Sequence, residues 1–260
     1  MIPVLTVCGK NLPDVWEQSL IALYEKGIYV ATQYGQSSLD STMLMVVEEP
    51  LSEPRIHMDM PGGVEDLQEY VMELCDGIKD HWVRNLLDPV DKRWEYTYHG
   101  RIADQLEICY EQLCSCPHTR RAQAITWIPE LDQHCYDPPC LQSLWFRIVD
   151  DYLCMDVRFR SRDAYRAAFM NAYALIELQS RMAKRLGVGM GRYMDMSDSY
   201  HIYDRNMDEF EDRFMQAYHG RAFEKRTMRF EDVSCLMDEA VPGILEKVRQ
   251  YDEQHMEKVV

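Results

Sequence analysis

The chain has 260 residues, 47% of them hydrophobic and 28% charged, and a formal net charge of −16. That length and apolar share suffice for one large core, and interspersed charges without a low-complexity tract exclude a disordered chain. A diffusely acidic surface excludes a coat for nucleic acid or anionic lipid, both of which demand a basic face, so any anionic ligand needs a local cluster of arginines.

In chain order, residues 2–8 read as a strand. Asn11 and Pro13 then supply cap and first-turn chemistry for a helix over 15–26, ended by Gly27. Residues 28–31 and 42–47 read as strands, the second a continuous Met/Leu/Val run suited to burial on both sides. A Pro-Gly-Gly turn at 61–63 opens a helix over 66–75 that Gly77 closes, and 101–115 carries apolar residues at three-four spacing. Strands follow at 119–127, 144–149 and 153–159, then a long helix over 164–186 that stops at Gly187. A strand at 201–203, a charged helix near 208–218 and an amphipathic tail helix over 240–260 complete the reading. Strands and helices mix without strict alternation, so the expected class is α+β, in a single domain over 1–260.

Nine cysteines, an odd count with no secretion signal, point to reduced thiols and a cytoplasmic protein. Cys114-x-Cys116, with His118 behind, lacks the two-residue spacer of a zinc knuckle, so no metal is expected. No run approaches the ~20 apolar residues that span a bilayer.

The chemistry-bearing residues lie between Asp137 and Tyr203. Pro138 and Pro139 fix the backbone before Cys140, which presents the thiol at the mouth of a turn. Phe159-Arg160-Ser161-x-Asp163 follows, then Asn171 on a helix and His201-x-Tyr203 on a strand, whose two rings point to one face. Taken alone, the cysteine reads sooner as a small buried hydrophobe, and the aspartate reads as well as a helix cap and Arg120-Arg121 as a solvated pair.

In order and spacing these residues resemble the thymidylate synthase signature, and Tyr98-x-Gly100 and Arg120-Arg121 fit the same family upstream. The resemblance covers residues 95–205 well and the first 90 loosely. It implies a thymidylate synthase-like fold, a mixed sheet packed with helices, dimerising through a sheet face. It implies that Cys140 adds to carbon 6 of a pyrimidine nucleotide monophosphate, which makes carbon 5 a nucleophile toward a methylene group. The carrier so implied is 5,10-methylene-tetrahydrofolate or a tetrahydromethanopterin analogue. Arg160 and Ser161 are then phosphate contacts, with Arg160 also lowering the thiol's pKa, and Arg120 with Arg121 reach the phosphate from the partner subunit of a homodimer. By the same resemblance Asn171 reads the pyrimidine through its amide, favouring uracil, and His201 with Tyr203 hold the sugar hydroxyl. Asp163 orders the pterin and a water, Tyr98 assists proton removal at carbon 5, and Trp82 and Trp94 pack the pterin. The general-base glutamate is assigned to Glu69, with Glu73 the other choice on the same helix.

The sequence departs from the family at Leu141, Phe159, 166–170 and Ser199, the last standing where an aspartate is usual, and Gln33-Tyr-Gly-Gln36 replaces a phosphate-binding arginine loop. The departures resemble a divergent branch containing methanogen thymidylate synthases and nucleotide hydroxymethylases. The C-terminus lacks the small apolar tail of typical synthases, which weakens hydride transfer against water addition. Methylation of dUMP is the expected reaction and hydroxymethylation of CMP, dCMP or dUMP its rival. A non-catalytic nucleotide-binding relative would have no need of the nucleophile.

Overall fold

The Asn11 side chain accepts the Asp14 N–H at 3.1 Å and starts a helix that buries Val15, Trp16, Leu20 and Leu23 along one stripe. This local logic recurs through a computed structural model that describes residues 1–84 and 94–255. The first half holds β1 (Val4–Gly9), α1 (Leu12–Lys26), β2 (Ile28–Ala31), β3 (Ser37–Val47), β4 (Ile56–His57), α2 (Val64–Asp76) and α3 (Tyr98–Ser115). β5 (Gln123–Ile125), the short α4 (Pro129–Asp132), β6 (Leu141–Val149), β7 (Tyr152–Phe159) and β8 (Arg162–Asp163) follow. After α5 (Ala168–Leu186) and β9 (Gly189–Tyr203), α6 (Asp204–Glu209) runs through a π-helical stretch (Phe210–Met215) into α7 (Gln216–Gly220). β10 (Thr227–Met228) pairs with β4, and α8 (Phe230–His255) closes the described chain.

The main sheet is mixed and eight-stranded, in the order β1-β3-β9-β7-β6-β5, with β2 beside β3 and β8 beside β9. β3 pairs antiparallel with β9, β9 parallel with β7, and β7 antiparallel with β6. Asp150 and Asp151, at φ 51° and 63°, make the two-residue turn between β6 and β7, a left-handed geometry that matches strand twist. One face of the sheet presents Met43, Met45, Val47, Leu144, Phe146, Leu153, Met155 and Val157 to the core. α1 and α5 pack there, and α5 brings the small residues Ala168, Ala172 and Ala183 against the strands, so helix and sheet approach closely. The other face carries half-buried Leu44, Val46, Met194 and Met196.

Several elements differ from the sequence reading. β9 starts at Gly189, twelve residues before the expected strand, because Asp195 and Ser197 stand on its inner face and hide the apolar alternation. Asp195 is fully buried there and pairs with Arg162 at 2.8 Å. The strand expected over 119–127 shortens to Gln123–Ile125. The long helix starts at Ala168, not 164, because the Asp163 carboxylate accepts the Tyr165 and Arg166 N–H groups at 3.1 and 2.7 Å and holds a turn there. The last helix begins at Phe230 and carries Pro242 in its interior; residues 256–260, part of the expected tail helix, lie outside the described residues. No helix among the described residues is long and apolar enough to cross a membrane.

Candidate active site

Just before the register shift between Ser41 and Met43, Ser38 and Asp40 pair across β3 and β9 with Tyr203 and His201. All four line a cavity of about 750 Å³, within the ~300–1,000 Å³ typical of small-ligand sites. Cys140, immediately before β6, and Arg160 with Ser161, in the turn after β7, line it too. α5 adds Asn171, α2 adds Tyr70, α3 adds Tyr98, and the loop after β2 adds Gln33 and Tyr34. Residues far apart in sequence therefore meet because several strand ends and three helices converge on one hollow.

Cys140 is half-buried, and the chain around it is held by Arg160. The Arg160 N–H donates to the Cys140 carbonyl at 2.9 Å, and its Nε and Nη2 donate to the Pro139 and Pro138 carbonyls, the first at 3.0 Å. Desolvation pushes the Cys140 thiol above its ordinary pKa; Arg160 pulls it down and Asp137 pushes it further up. Arg160 thus acts in the expected direction, but burial outweighs it, and the resting sulfur is a thiol at neutral pH. Tyr98 accepts the Leu141 N–H through its hydroxyl at 3.3 Å, beside the sulfur, and burial raises its own pKa well above the usual phenol value.

On the same cavity, Ser199 donates to Asp40 Oδ2 at 2.6 Å and lies 3.2 Å from His201 Nδ1. A carboxylate from the neighbouring strand therefore stands next to the serine found where the family usually has an aspartate. His201 and Tyr203 meet edge to face at 4.6 Å between centroids. Burial pushes the His201 imidazole down to about 4, so it is neutral at physiological pH. The unfolded chain takes up a proton below the ordinary value of 6.5 that the folded chain refuses until about 4, so stability falls as pH falls through that window. The protein is expected to lose about 2 kcal/mol more between pH 7 and pH 5 than a His201→Gln variant does. Urea unfolding at both pH values measures this; superimposable pH dependences would contradict it.

Asp163 also lines the cavity, and desolvation raises its carboxyl pKa against the pull of its two N–H bonds. Asn171 donates through Nδ2 to the Tyr70 hydroxyl at 2.7 Å. A second cavity of about 410 Å³ shares Tyr70, Tyr98, Tyr136 and Asp137 with the first and adds Glu73, Trp94, Glu95 and Tyr96.

Not every expected residue enters. Glu69 lines neither cavity and pairs with Lys79 at 2.7 Å; Glu73, which lines the second, pairs with the same ammonium at 2.9 Å. Trp82 is buried against Tyr251 of α8, 4.1 Å between ring centroids, and donates to Asp252 at 2.7 Å, whereas Trp94 lines the second cavity. Arg120 and Arg121 are exposed beside a separate surface hollow with Cys116 and Thr119, away from their own chain's Cys140. The sequence reading missed Tyr70, Asp40, Asp137 and Arg205, all on the main cavity. Tyr70 had a readable signal: Leu67, Val71 and Leu74 set the buried stripe of α2, and Tyr70 and Glu73 flank it at three-residue spacing. Asp40 had none, because its partner in register lies 161 residues away.

Comparison with known proteins identifies the family. A family model described as "Thymidylate synthase" matches residues 64–243. A Methanosarcina mazei protein named "Putative thymidylate synthase" is 32% identical over 209 residues, 78% of this chain and 91% of that one. A Methanosarcina acetivorans protein of the same name is 33% identical over 209 residues, with the same coverage. A third, from Methanocaldococcus jannaschii, is 29% identical over 213 residues, 79% of this chain and 94% of that one.

Proposed function

From the premise that the chain belongs to the thymidylate synthase family and is a one-carbon transferase, we propose that it methylates carbon 5 of a uracil nucleotide, dUMP above others, through a Cys140 adduct at carbon 6. The observation that carries this reading is the meeting of Cys140, Arg160, Asn171, His201 and Tyr203 on one cavity of about 750 Å³. Phosphate is held by Arg160 and Ser161, with Arg205 a further cation at the same cavity. Arg120 and Arg121 reach the phosphate of a partner subunit, a role that suits two arginines exposed away from their own cavity. Half-buried Leu44, Val46, Met194 and Met196, on the sheet face that the helices leave uncovered, support a homodimer through that face.

Within the cavity, Asn171 offers the ring both an acceptor and an N–H, which suits the N3–H and O4 edge of uracil. Neutral His201, with Tyr203, meets a sugar hydroxyl. Tyr98, next to the sulfur, orders the water that takes the carbon 5 proton. The family uses a folate-type carrier, and the second cavity fits one: Trp94, Tyr96 and Tyr136 offer flat faces, and Glu73, Glu95 and Asp137 offer acceptors to pterin N–H groups. Bound there, the carrier supplies the methylene group and, for a methyl product, a hydride.

The test is incubation with carbon 5-tritiated UMP, dUMP, CMP and dCMP, each with methylene-tetrahydrofolate and with its tetrahydromethanopterin counterpart. Tritium release from dUMP with a methyl product is expected. A hydroxymethyl product would move the enzyme to the hydroxymethylases, and nucleotide binding without release from any of the four would make it a non-catalytic relative.

A further inference from the structure

The helix from which the sequence reading draws a carboxylate brings a different group to the main cavity. Glu69 and Glu73 both turn to Lys79, at 2.7 and 2.9 Å, and so share one ammonium. Tyr70, between them on α2, lines both cavities, and its hydroxyl oxygen accepts the Asn171 Nδ2–H at 2.7 Å. With that amide hydrogen committed, Asn171 keeps its carbonyl oxygen and one N–H for a ligand, and Tyr70 keeps its own O–H as a donor. Tyr98 is differently placed, on the sulfur side, with the Leu141 N–H already on its oxygen.

We infer that Tyr70 is a catalytic residue of this site, donating its O–H to the carbon 4 oxygen of the uracil ring as the Cys140 adduct forms, and holding Asn171 with its carbonyl toward the ring N3–H. This rests on the function proposed above. Cys140 first gives up its S–H proton to water, the thiolate lone pair forms the S–C6 bond, the C5–C6 π pair moves into an enolate, and the negative charge brought by the thiolate gathers on the carbon 4 oxygen. The N3 and O4 positions are neighbours on the ring edge, as the Asn171 and Tyr70 polar atoms are neighbours in the cavity. Tyr70 keeps its proton throughout, since burial holds its pKa well above the ordinary phenol value. A neutral donor fixed where an oxyanion develops needs no reorganisation when the charge appears.

The intact protein and its Tyr70→Phe variant are compared in tritium release from carbon 5 of uracil nucleotide and of its 4-thio analogue, with nucleotide dissociation constants measured for each. Tyr70→Phe is expected to slow release by ~10²–10³-fold on the oxygen substrate, with affinity changed by less than about tenfold. On the 4-thio substrate, a weaker acceptor, the same substitution costs much less, so the two changes are non-additive. Equal penalties on both substrates, or release unchanged, would overturn the role of Tyr70 while leaving the proposed function standing. Should the phenylalanine variant fail to fold, 3,5-difluorotyrosine at position 70 keeps the shape and changes the donor's acidity; an unaltered release rate then overturns it. Absence of release from wild type with all four nucleotides would instead remove the proposed function, and this inference with it.

Discussion

Cys140→Ser is expected to abolish tritium release and product formation while nucleotide affinity stays within about tenfold, a difference of ~1.4 kcal/mol. A serine hydroxyl at that position is a far poorer nucleophile than a thiolate, and none of the described residues lining the cavity is placed as a strong base beside it. The affinity survives because phosphate, ring edge and sugar are met by Arg160, Asn171 and His201, none of which leans on the sulfur for its position. Undiminished turnover in the variant would remove the mechanism. Since burial raises the thiol's pKa and Arg160 only partly offsets it, alkylation of Cys140 in the free protein should follow a pH profile displaced above that of an ordinary thiol. A profile displaced below it would mean that the guanidinium outweighs desolvation.

The largest loss of stability is expected from Arg162→Met. Arg162 is fully buried, pairs with the fully buried Asp195 at 2.8 Å, donates to the Ala168 carbonyl at 2.6 Å and stacks over Phe159 at 4.3 Å. Removing the cation strands a carboxylate in the core, which costs ~3–5 kcal/mol. The double variant Arg162→Met/Asp195→Leu should recover most of that loss, because the penalty belongs to the unpaired charge and not to the missing pair. Urea unfolding of the three proteins decides it. A single variant within about 1 kcal/mol of wild type would show that Asp195 finds solvent or a proton without cost.

The pair also explains why part of the fold was hidden in the sequence. An aspartate on the inner face of β9 breaks the apolar alternation that marks a strand, and its compensating arginine sits on β8, 33 residues earlier. Asp195 can stay charged on that inner face only with this cation beside it. Local signals behaved otherwise: Asn11 with Pro13, and Gly77 and Gly187 in left-handed conformation, bound their helices where the sequence puts them. The order of Cys140, Arg160, Asn171, His201 and Tyr203 was equally legible, because its spacing resembles a family signature.

What the sequence by itself determined is thus the set of chemical types, their order and the family they belong to. The tertiary structure alone decided which acid faces which base. Lys79 pairs with Glu69 and Glu73, Tyr70 stands beside Asn171, and Asp40 reaches Ser199 across a strand pair that no local pattern connects. The reason is physical: helix caps and strand faces follow from neighbours in the chain, whereas the partner of a buried polar group is set by packing between elements far apart in it.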